Sequence, residues 1–414
     1  MRLQCCVLPQ IESSVLEGTY IPETFDYEAE LPDGTPGRKA WTDIFRRAIP
    51  QFQKRAKMQL LEEAVSDLGE GSADDRALSF AKEYGDILDK LERDPNQILP
   101  GYEVECSRSG LTKGLSCKVL CTIRESCLTR IGLRDAFKHV KRKENAESLL
   151  VLPSLVRDID RRERAEERME LALMGCFAGN LFDLGAHFSS EKYEKQQDEK
   201  QKFQGDENTA GEGEEGEGKS YHYQNFQKTR ENLPKRPWLV DCLDQAVEQL
   251  STKGKFKKAI VFVDNAGSDL ILGILPFCRE LLKNGTSVVL AANEKPTIND
   301  VTADELLSLF TRVSSSPRVE DQVLCSAVES GSLSVISTGS DLPIIDLSKL
   351  SHSIVEAARE ADLVVLQGMG RAIESNLNAK LTTTVLKMGV VKHPEVALCL
   401  GGNLGDPICK FQPI

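Results

Sequence analysis

The chain has 414 residues, enough for about two or three domains of ordinary size. Hydrophobic residues make up 40% of it and charged residues 28%, which is typical of a folded globular protein. The formal net charge of −12 disfavours binding to nucleic acid or to anionic membrane surfaces. A phosphorylated ligand would therefore need a metal ion or a few well-placed cations to attract it.

Neither a membrane segment nor a secretory signal is visible in the sequence. No apolar run reaches the length of a transmembrane helix, and the first residues lack an apolar core. The twelve cysteines are scattered along an acidic chain, mostly in apolar surroundings, which favours reduced thiols over disulfides. These features predict a cytoplasmic protein that does not bind membranes. No pattern indicates an oligomeric state.

The first half of the chain is predicted to be mostly helical. Residues 1–37 show little pattern and are expected to be extended, and a helical domain is expected over 38–188. Apolar residues recur there at helical spacing, and Pro50 is expected to bend or restart the first helix. The predicted helices cover residues 38–57, 75–91, 118–131, 133–142 and 164–184.

Residues 189–222 change in character to Lys, Gln, Gly and Glu, with ten acidic residues against five lysines. Such a segment has little apolar surface to bury and predicts a disordered acidic loop. Residues 213–220, GEEGEGKS, have the form of a phosphate-binding P-loop. A working P-loop follows a buried strand, and the three glutamates here would repel phosphate, so we reject a kinase or GTPase function.

Residues 223–414 alternate apolar, β-branched runs with helical patterns. Apolar strands separated by helices predict an α/β fold with a three-layer, Rossmann-like, mostly parallel, doubly wound sheet. In this architecture ligands bind beyond the carboxyl ends of the strands. The predicted strands cover residues 259–263, 287–292, 334–337, 363–366 and 383–391.

Oxygen donors follow the first two of these strands. Asp264 and Asn265 come directly after the first, in a form suited to a hard divalent cation, and Asp269 is predicted to cap the next helix. Asp300 follows the second strand, and the sequence TADE at 302–305 forms a capping box that starts another helix. Because the two strand ends are adjacent, both carboxylates can face one metal ion.

Two later strand ends are suited to anions. The strand at 363–366 leads into Gln367-Gly-Met-Gly-Arg371, whose glycines let backbone N–H groups approach an anion and whose arginine can bind phosphate in a bidentate manner. The last strand carries Lys387 and ends near Lys392, and a lysine there can neutralise a phosphoryl group. Local pattern alone favours a structural turn and solvated lysines over an anion site.

Taken in order, these segments resemble the damage-control phosphatases, metal-dependent phosphatases formerly catalogued as a domain of unknown function. The chain is similar above all to the subfamily of plant stand-alone enzymes and of the domain fused to a eukaryotic pantothenate kinase. The resemblance extends from about Arg38 to Phe411, outside the acidic tract and residues 101–115. The segments that carry it are AWTDIFRRAIPQFQKRA, IGLRDAFKHVKRKENA, GCFAGNLFDLG, RPWLVD, AIVFVDNAGSDLILGILPFCRELL, VVLAANEKPTINDVT, GSDLPIIDLS and KMGVVKH.

The resemblance implies that 223–414 is a metal-binding phosphatase domain that acts in metabolite damage control. Its substrates would be small phosphomonoesters, either sugar phosphates or phosphopantetheine-like metabolites, including damaged forms. The metal would be Mn²⁺ or Mg²⁺, with Co²⁺ or Ni²⁺ as alternatives, and its ligands, which are also the catalytic residues, would be Asp264, Asn265 and Asp300. The residues implied to contact substrate are Asn180, Asp183, Gly368, Gly370, Arg371 and Lys392.

One position departs from the subfamily. The signature loop EGMGR reads Gln367-Gly-Met-Gly-Arg371 here, which replaces a carboxylate by an amide. If the glutamate only orients the loop, Gln367 can serve in its place. If the glutamate handles protons or substrate hydroxyls, the rate or the specificity would change.

The expected mechanism is metal-assisted attack by water, with Arg371 and Lys392 stabilising the phosphoryl oxygens. An aspartyl-phosphate route is disfavoured because Ala266 stands where the haloacid-dehalogenase pattern requires a second aspartate. Asp183 is a candidate general acid. Two alternatives remain open: a carboxyl methyltransferase that uses S-adenosylmethionine, although the first strand lacks a G-x-G-x-G loop, and a non-catalytic metabolite-binding protein, suggested by Gln367 and the acidic insert.

Overall fold

The computed structural model describes residues 6–63, 72–94, 115–182, 214–314 and 322–414. These residues build a seven-stranded sheet with helices on both faces. The strands are β1 (Val240–Asp241), β2 (Lys258–Phe262), β3 (Ser287–Ala292), β4 (Leu333–Ser337), β5 (Leu363–Gln367), β6 (Thr384–Val390) and β7 (Pro407–Gln412).

The strands lie in the order β1-β7-β6-β5-β2-β3-β4. Every neighbouring pair is parallel except β6 and β7, which are antiparallel. The predicted fold class, a mostly parallel α/β sheet, is confirmed. Strands β1 and β7 are absent from the prediction, since β1 has only two residues and β7 begins with a proline.

The helices carry the labels α1 to α13 in chain order. They are α1 (Glu12–Leu16), α2 (Gly37–Glu63), α3 (Ala73–Arg93), α4 (Cys117–Arg130), α5 (Lys138–Asp160), α6 (Ala165–Phe182), α7 (Glu214–Glu231), α8 (Leu243–Ser251), α9 (Leu275–Lys283), α10 (Ala303–Ser314), α11 (Gln322–Glu329), α12 (His352–Ala358) and α13 (Pro394–Leu400). A 3₁₀ turn covers Pro9–Ile11, and π-helical turns cover Asp269–Ile274 and Met369–Glu374.

The predicted helical character of the first half is confirmed, with some changes of boundary. Helix α2 continues through Pro50 without interruption, and α5 runs on to Asp160 instead of ending at residue 142. The predicted acidic loop overlaps α7 over 214–222, while 189–213 lies outside the described residues. In the part of the chain that the structure describes, no helix is both long and apolar enough to cross a membrane.

The sheet separates two hydrophobic cores. Alternate side chains of β2 point to opposite faces, so that Ile260 and Phe262 enter one core while Ala259 and Val261 enter the other. Helices α2, α3, α4, α12 and α13 cover the first face, and α5 to α11 cover the second. The central strands therefore carry apolar side chains on both faces over most of their length. The helices within 38–188 contribute to both cores.

Candidate functional site

The order of strands reverses at β2. From β2 the chain adds β3 and β4 on one side, and it then returns to place β5 on the other side. Ligands of parallel sheets bind at such a reversal, beyond the carboxyl ends of the strands. The segments that follow β2, β3 and β5 meet at this position, and they carry most of the residues that the sequence analysis selects.

Backbone contacts join the segments after β2 and β3. The N–H group of Val301 donates to the carbonyl oxygen of Asp264 at 3.0 Å. Asn265 and Asp300 form an isolated antiparallel bridge. The structure thus brings Asp264, Asn265 and Asp300 side by side, at the adjacent strand ends where the sequence places them.

Arg371 connects the two carboxylates. Its Nη1 donates to Oδ1 of Asp264, and its Nη2 donates to Oδ2 of Asp300 at 2.5 Å and to Oδ1 of Asn293 at 3.1 Å. The side chain is only 1% exposed. Burial alone would lower the pKa of Arg371, but the carboxylates of Asp300 and Asp264 outweigh burial and raise it. The guanidinium therefore stays charged, and in this structure it is directed at the carboxylates.

Asp269 belongs to the same group of side chains, so its prediction as a helix cap is wrong. Ser268 occupies the N-cap position of the π-helical turn, and its side chain makes no capping hydrogen bond. Oδ2 of Asp269 accepts from Nδ2 of Asn180 at 2.9 Å and from Nδ2 of Asn265 at 3.1 Å, and Oδ1 accepts from Nε2 of Gln367 at 2.6 Å. A buried carboxylate requires such donors, and amides from three separate segments supply them.

Gln367 orients the segment that carries Asp264. Its Oε1 accepts from the N–H group of Asp264 at 3.0 Å while its Nε2 donates to Asp269. An amide can accept and donate at the same time, whereas an ionised carboxylate only accepts. Of the two roles considered for this position, the contacts match the orienting one.

Asn180 on α6 lies beneath the same residues. Its Nδ2 also donates to Oδ2 of Asp264 at 3.3 Å, and its Oδ1 accepts from the N–H group of Val390 at 3.1 Å. The side chain is fully buried. Asn180 therefore holds the aspartates in place. Asp183 lies outside the described residues. We use the name carboxylate cluster for Asn180, Asp264, Asn265, Asp269, Asn293, Asp300, Gln367 and Arg371.

The two glycines of the loop after β5 are required by close contacts. Gly368 has a φ of 101°, and a Cβ atom there would lie 2.1 Å from Cγ of Asp264. A Cβ atom at Gly370 would lie 2.4 Å from the carbonyl oxygen of Pro343. The absence of side chains lets this backbone pass directly against the carboxylate cluster.

A cavity of about 320 Å³ adjoins the carboxylate cluster. Asp264, Asn265 and Asn299 line its polar part, together with Glu374 and Lys392. Helices α2 and α4 form a second, mostly apolar part of the lining. The α2 and α4 residues that line it include Trp41, Ile44, Phe45, Phe52, Cys117, Cys121 and Arg124.

Glu374 is a candidate that the sequence analysis missed. It ends the second π-helical turn and lines the cavity. Burial and, next, the charge of Asp264 raise the pKa of Glu374 to about 7, against an opposing effect of Lys392. A carboxyl group with a pKa near 7 can exchange protons at neutral pH. The feature of the sequence that could have identified Glu374 is its position three residues after Arg371.

The two lysines near the last parallel strand lie in different places. Lys392 lines the cavity. Lys387 on β6 is buried, and its Nζ donates to the carbonyl oxygens of Leu377 at 3.2 Å and Ala379 at 2.5 Å. Burial and then the charge of Lys410 lower the pKa of Lys387 to about 7. Lys392, the lysine implied by the family resemblance, is the one at the cavity.

The donor set of the cluster fits a hard divalent cation. Carboxylate and amide oxygens are the ligands that such cations prefer. Oδ1 of Asn265 is buried and makes no hydrogen bond within the described part of the chain. The cluster contains three aspartates and one arginine, so its formal charge is negative. No group of three or more His, Cys, Asp or Glu among the described residues is arranged to hold a metal, so a site here depends on the amide oxygen.

Comparisons with known proteins identify the family of this chain. The family described as "Damage-control phosphatase ARMT1-like domain" matches residues 41–212 and 216–408. A damage-control phosphatase of Arabidopsis thaliana is 37% identical over 409 residues, which cover 98% of this chain and 97% of that protein. The 4'-phosphopantetheine phosphatase of Mus musculus is 31% identical over 95% of this chain and 47% of its own length.

Two further comparisons concern a longer protein and a solved structure. Pantothenate kinase 2 of Oryza sativa is 30% identical over 99% of this chain, which spans only 41% of that kinase. A solved structure of a DUF89 family protein from Pyrococcus horikoshii has a TM-score of 0.54 at 16% identity and covers 88% of this chain and 97% of its own. At this identity, the solved structure shows a shared fold.

The relatives do not favour a methyltransferase or a non-catalytic binding protein. The family indicates a divalent metal as cofactor and a small phosphorylated metabolite as substrate. The chain therefore belongs to the damage-control phosphatases and is a metal-dependent phosphoric monoester hydrolase.

Proposed function

We propose that the carboxylate cluster and the adjoining cavity hydrolyse a small phosphomonoester with water as the nucleophile. The observation that carries this proposal is that Asp264 and Asn265 line a cavity of about 320 Å³, while Asp300 is bridged to Asn265 and bound by the same arginine, Arg371, as Asp264. The phosphoryl group would lie at this polar end, and the alcohol part of the ester would lie against α2 and α4. We place this activity in the cytoplasm, in the repair of damaged metabolites.

Asp264, Asn265 and Asp300 are the proposed metal ligands, with Mn²⁺ or Mg²⁺ as the preferred ion and Co²⁺ or Ni²⁺ as alternatives. A divalent cation bound there would polarise the phosphoryl group and lower the pKa of the attacking water. The unsatisfied Oδ1 of Asn265 and the acidic character of the cluster support this assignment.

The chain's own cationic groups would stabilise the charge of the phosphoryl oxygens. Lys392 lines the cavity and can reach an anion there. Arg371 holds the carboxylates of Asp264 and Asp300 in a fixed orientation, and its buried positive charge also favours a nearby phosphate. The backbone of Gly368 and Gly370 would let the loop approach the phosphoryl group closely.

Glu374 is proposed as the proton donor to the leaving oxygen. It lines the cavity, and its pKa of about 7 keeps a large share of the carboxyl group protonated at neutral pH. Asp183, the candidate selected from the sequence, stays a prediction. Asn180 is proposed as a positioning residue, because its contacts go to Asp264 and Asp269.

The apolar lining favours one of the two expected substrate classes. Trp41, Ile44, Phe45 and Phe52 offer a surface for methyl and methylene groups, of which a sugar phosphate presents few because nearly every carbon carries a hydroxyl group. A phosphopantetheine-like ester carries such groups, and a mouse relative is named for that substrate. We therefore propose phosphopantetheine-like esters as the first class to test and sugar phosphates as the second.

The test is phosphate release from a panel of both substrate classes by the purified protein, first stripped of metal and then supplied with Mn²⁺ or Mg²⁺. Asp264→Ala is expected to lower activity by at least about a hundredfold. Asp244→Ala, an aspartate whose side chain is 84% exposed, serves as the control and should retain activity. Activity that survives both chelation and Asp264→Ala would contradict the proposed function.

A further inference from the structure

Arg124 occupies the cavity wall that α4 forms. Cys117, Cys121 and Arg124 stand at positions i, i+4 and i+7, which lie on one face of a helix, and all three line the cavity. Arg124 is 6% exposed, although it carries a charge. The proposed function assigns no role to this residue.

The guanidinium of Arg124 is held in a fixed orientation. Its Nε and Nη2 donate to Oε1 of Glu125 at 3.0 and 2.8 Å, and Nη2 also donates to Oγ1 of Thr297 at 3.4 Å. The group lies over the ring of Phe52, 4.8 Å from its centroid. Burial alone would lower the pKa of Arg124, but Cys121 and Glu125 outweigh burial and raise it. The side chain is therefore a charged and pre-oriented donor.

One donor of the Arg124 guanidinium is not used by the hydrogen bonds described above. Nη1 of Arg124 makes no hydrogen bond to any residue that the structure describes. Nη1 is not among the fully buried atoms that lack a partner, so it is accessible from the cavity that Arg124 lines, and an oxygen of a bound ligand can accept from it. Arg47, which also lines the cavity, donates instead to Glu395 at 2.6 Å.

We propose that Nη1 of Arg124 binds an acceptor oxygen in the alcohol part of the substrate, and that Arg124 thereby determines specificity. The preferred substrates are phosphate monoesters whose alcohol part carries a carboxylate or an amide carbonyl group. The inference rests on the proposed function, because it requires the phosphoryl group to lie at the Asp264 end of the same cavity. The apolar residues of α2 would then cover the carbon chain between the two polar ends.

A purely structural role for Arg124 predicts a different result. Through Glu125 and Thr297 the side chain ties α4 to the segment that carries Asp300. If Arg124 served only to hold α4 against this segment, replacing it would lower the turnover of all esters by the same factor. A lost contact with substrate changes the ratio between esters instead.

The experiment compares three phosphate monoesters matched in chain length, prepared in several lengths. Their alcohol parts end in a carboxylate, a primary amide or a methyl group, and kcat/KM is measured for each with the metal-loaded protein. The wild type is expected to prefer the carboxylate or amide ester over the methyl ester by about 10- to 100-fold. Arg124→Met is expected to bring this ratio close to one while the methyl ester changes by less than about threefold.

Controls separate specificity from charge and from folding. Arg47→Met removes the same charge from the cavity wall and should keep the wild-type ratio. Arg124→Gln is the second variant, with the same expected loss of preference if the methionine variant does not fold, and thermal unfolding checks both. A preference for the carboxylate over the amide would identify an anionic substrate, and equal preference would identify a carbonyl contact; both support the proposal.

The experiment distinguishes a failure of the proposed role of Arg124 from a failure of the proposed function. A wild type that hydrolyses all three esters with equal kcat/KM would overturn the role of Arg124 and leave the proposed function intact. The role would also be overturned by an unchanged ratio in the folded Arg124 variants, or by an equal loss in Arg47→Met. A wild type that hydrolyses none of the esters of any class would overturn both proposals.

Discussion

Gly368 lies where the backbone after β5 passes the carboxylate of Asp264. A Cβ atom at this position would come within 2.1 Å of Cγ of Asp264, and its φ of 101° is unfavourable for any other residue type. Gly254 offers a matched comparison, because it also has a positive φ, of 69°, but no atom lies within 4 Å of its hypothetical Cβ. A comparison of alanine variants at Gly368 and Gly254 therefore separates the effect of backbone strain from the effect of steric contact.

Gly368→Ala is expected to abolish detectable activity and to destabilise the protein by more than Gly254→Ala does. The comparison variant should lose only about 1 kcal/mol, the usual cost of a non-glycine residue at positive φ, and should stay active. Phosphatase assays and chemical denaturation measure the two effects. Near-wild-type activity in Gly368→Ala would show that the Asp264 carboxylate can move without loss of function.

Glu374 gives an expectation for pH dependence. Its carboxyl group has a pKa of about 7, so the protonated form, which can donate to a leaving oxygen, is present below this pH. We expect kcat to fall as the pH rises through about 7, and Glu374→Gln to lower kcat by about 10²- to 10⁴-fold and to remove this dependence. A pH profile of kcat for both proteins checks the expectation, and an unchanged profile in the variant would contradict it.

The same group has a separate effect on stability. The pKa is raised from 4.5 to about 7 on folding, so between these values the folded state holds a proton that the unfolded state has released. The stabilisation is complete below about pH 4.5 and is lost as the pH rises through 7. Relative to Glu374→Gln, the free energy of unfolding of the wild type should therefore fall across this window.

Helix α6 and the first π-helical turn pack backbone against backbone. A Cβ atom at Gly179 would lie 2.8 Å from the carbonyl oxygen of Ser268, and one at Gly273 would lie 3.0 Å from Cα of Cys176. This close approach is what places Asn180 within hydrogen-bond distance of both Asp264 and Asp269. The site thus depends on the separation of two elements that are distant in sequence.

Gly179→Ala is expected to push α6 away from the turn and to lower kcat by more than tenfold while the protein still folds. Gly85→Ala on α3 is the control, since the nearest atom to its hypothetical Cβ is 3.8 Å away. That change should stabilise the protein by up to about 1 kcal/mol because alanine favours helix, with no effect on activity. Thermal unfolding and kcat are measured for both variants. Equal stability and equal kcat in Gly179→Ala and Gly85→Ala would refute the proposed role of the close approach at Gly179.

The site draws on both faces of the molecule. The carboxylate cluster includes Asn180 from a helix of one core, and the cavity wall comes from α2 and α4 of the other. A cation held by segments after β2 and β3 would therefore stabilise the fold as a whole. Binding to the folded state alone raises the free energy of unfolding as the ligand concentration exceeds Kd.

Mn²⁺ is expected to raise the Tm of the metal-free protein by a few degrees, in a concentration-dependent manner. Asp300→Ala should remove this response, and Asp244→Ala should keep it. Differential scanning calorimetry with and without chelator measures the shift independently of turnover. An equal shift in Asp300→Ala would show that the cation binds elsewhere.

The fold class was predictable because its causes are local. Strands buried on both faces must be apolar throughout, and parallel neighbours need helical crossovers, so the alternation of the two patterns in 223–414 predicts the sheet. The capping box at 302–305 is likewise confirmed, with Thr302 and Glu305 bonded reciprocally at 2.9 and 3.2 Å. The division into domains stays a prediction.

The mostly parallel sheet and the polar residues at its strand ends could be predicted from the sequence, because strand burial and strand-end chemistry depend on neighbouring residues. Which of these residues contact one another depends on the tertiary structure. Asp269 receives its donor Gln367 from 98 positions away, and Arg124 meets Thr297 across 173 positions. Glu374 has a raised pKa because other segments bury it. Such contacts depend on how distant segments pack, and no local pattern encodes them.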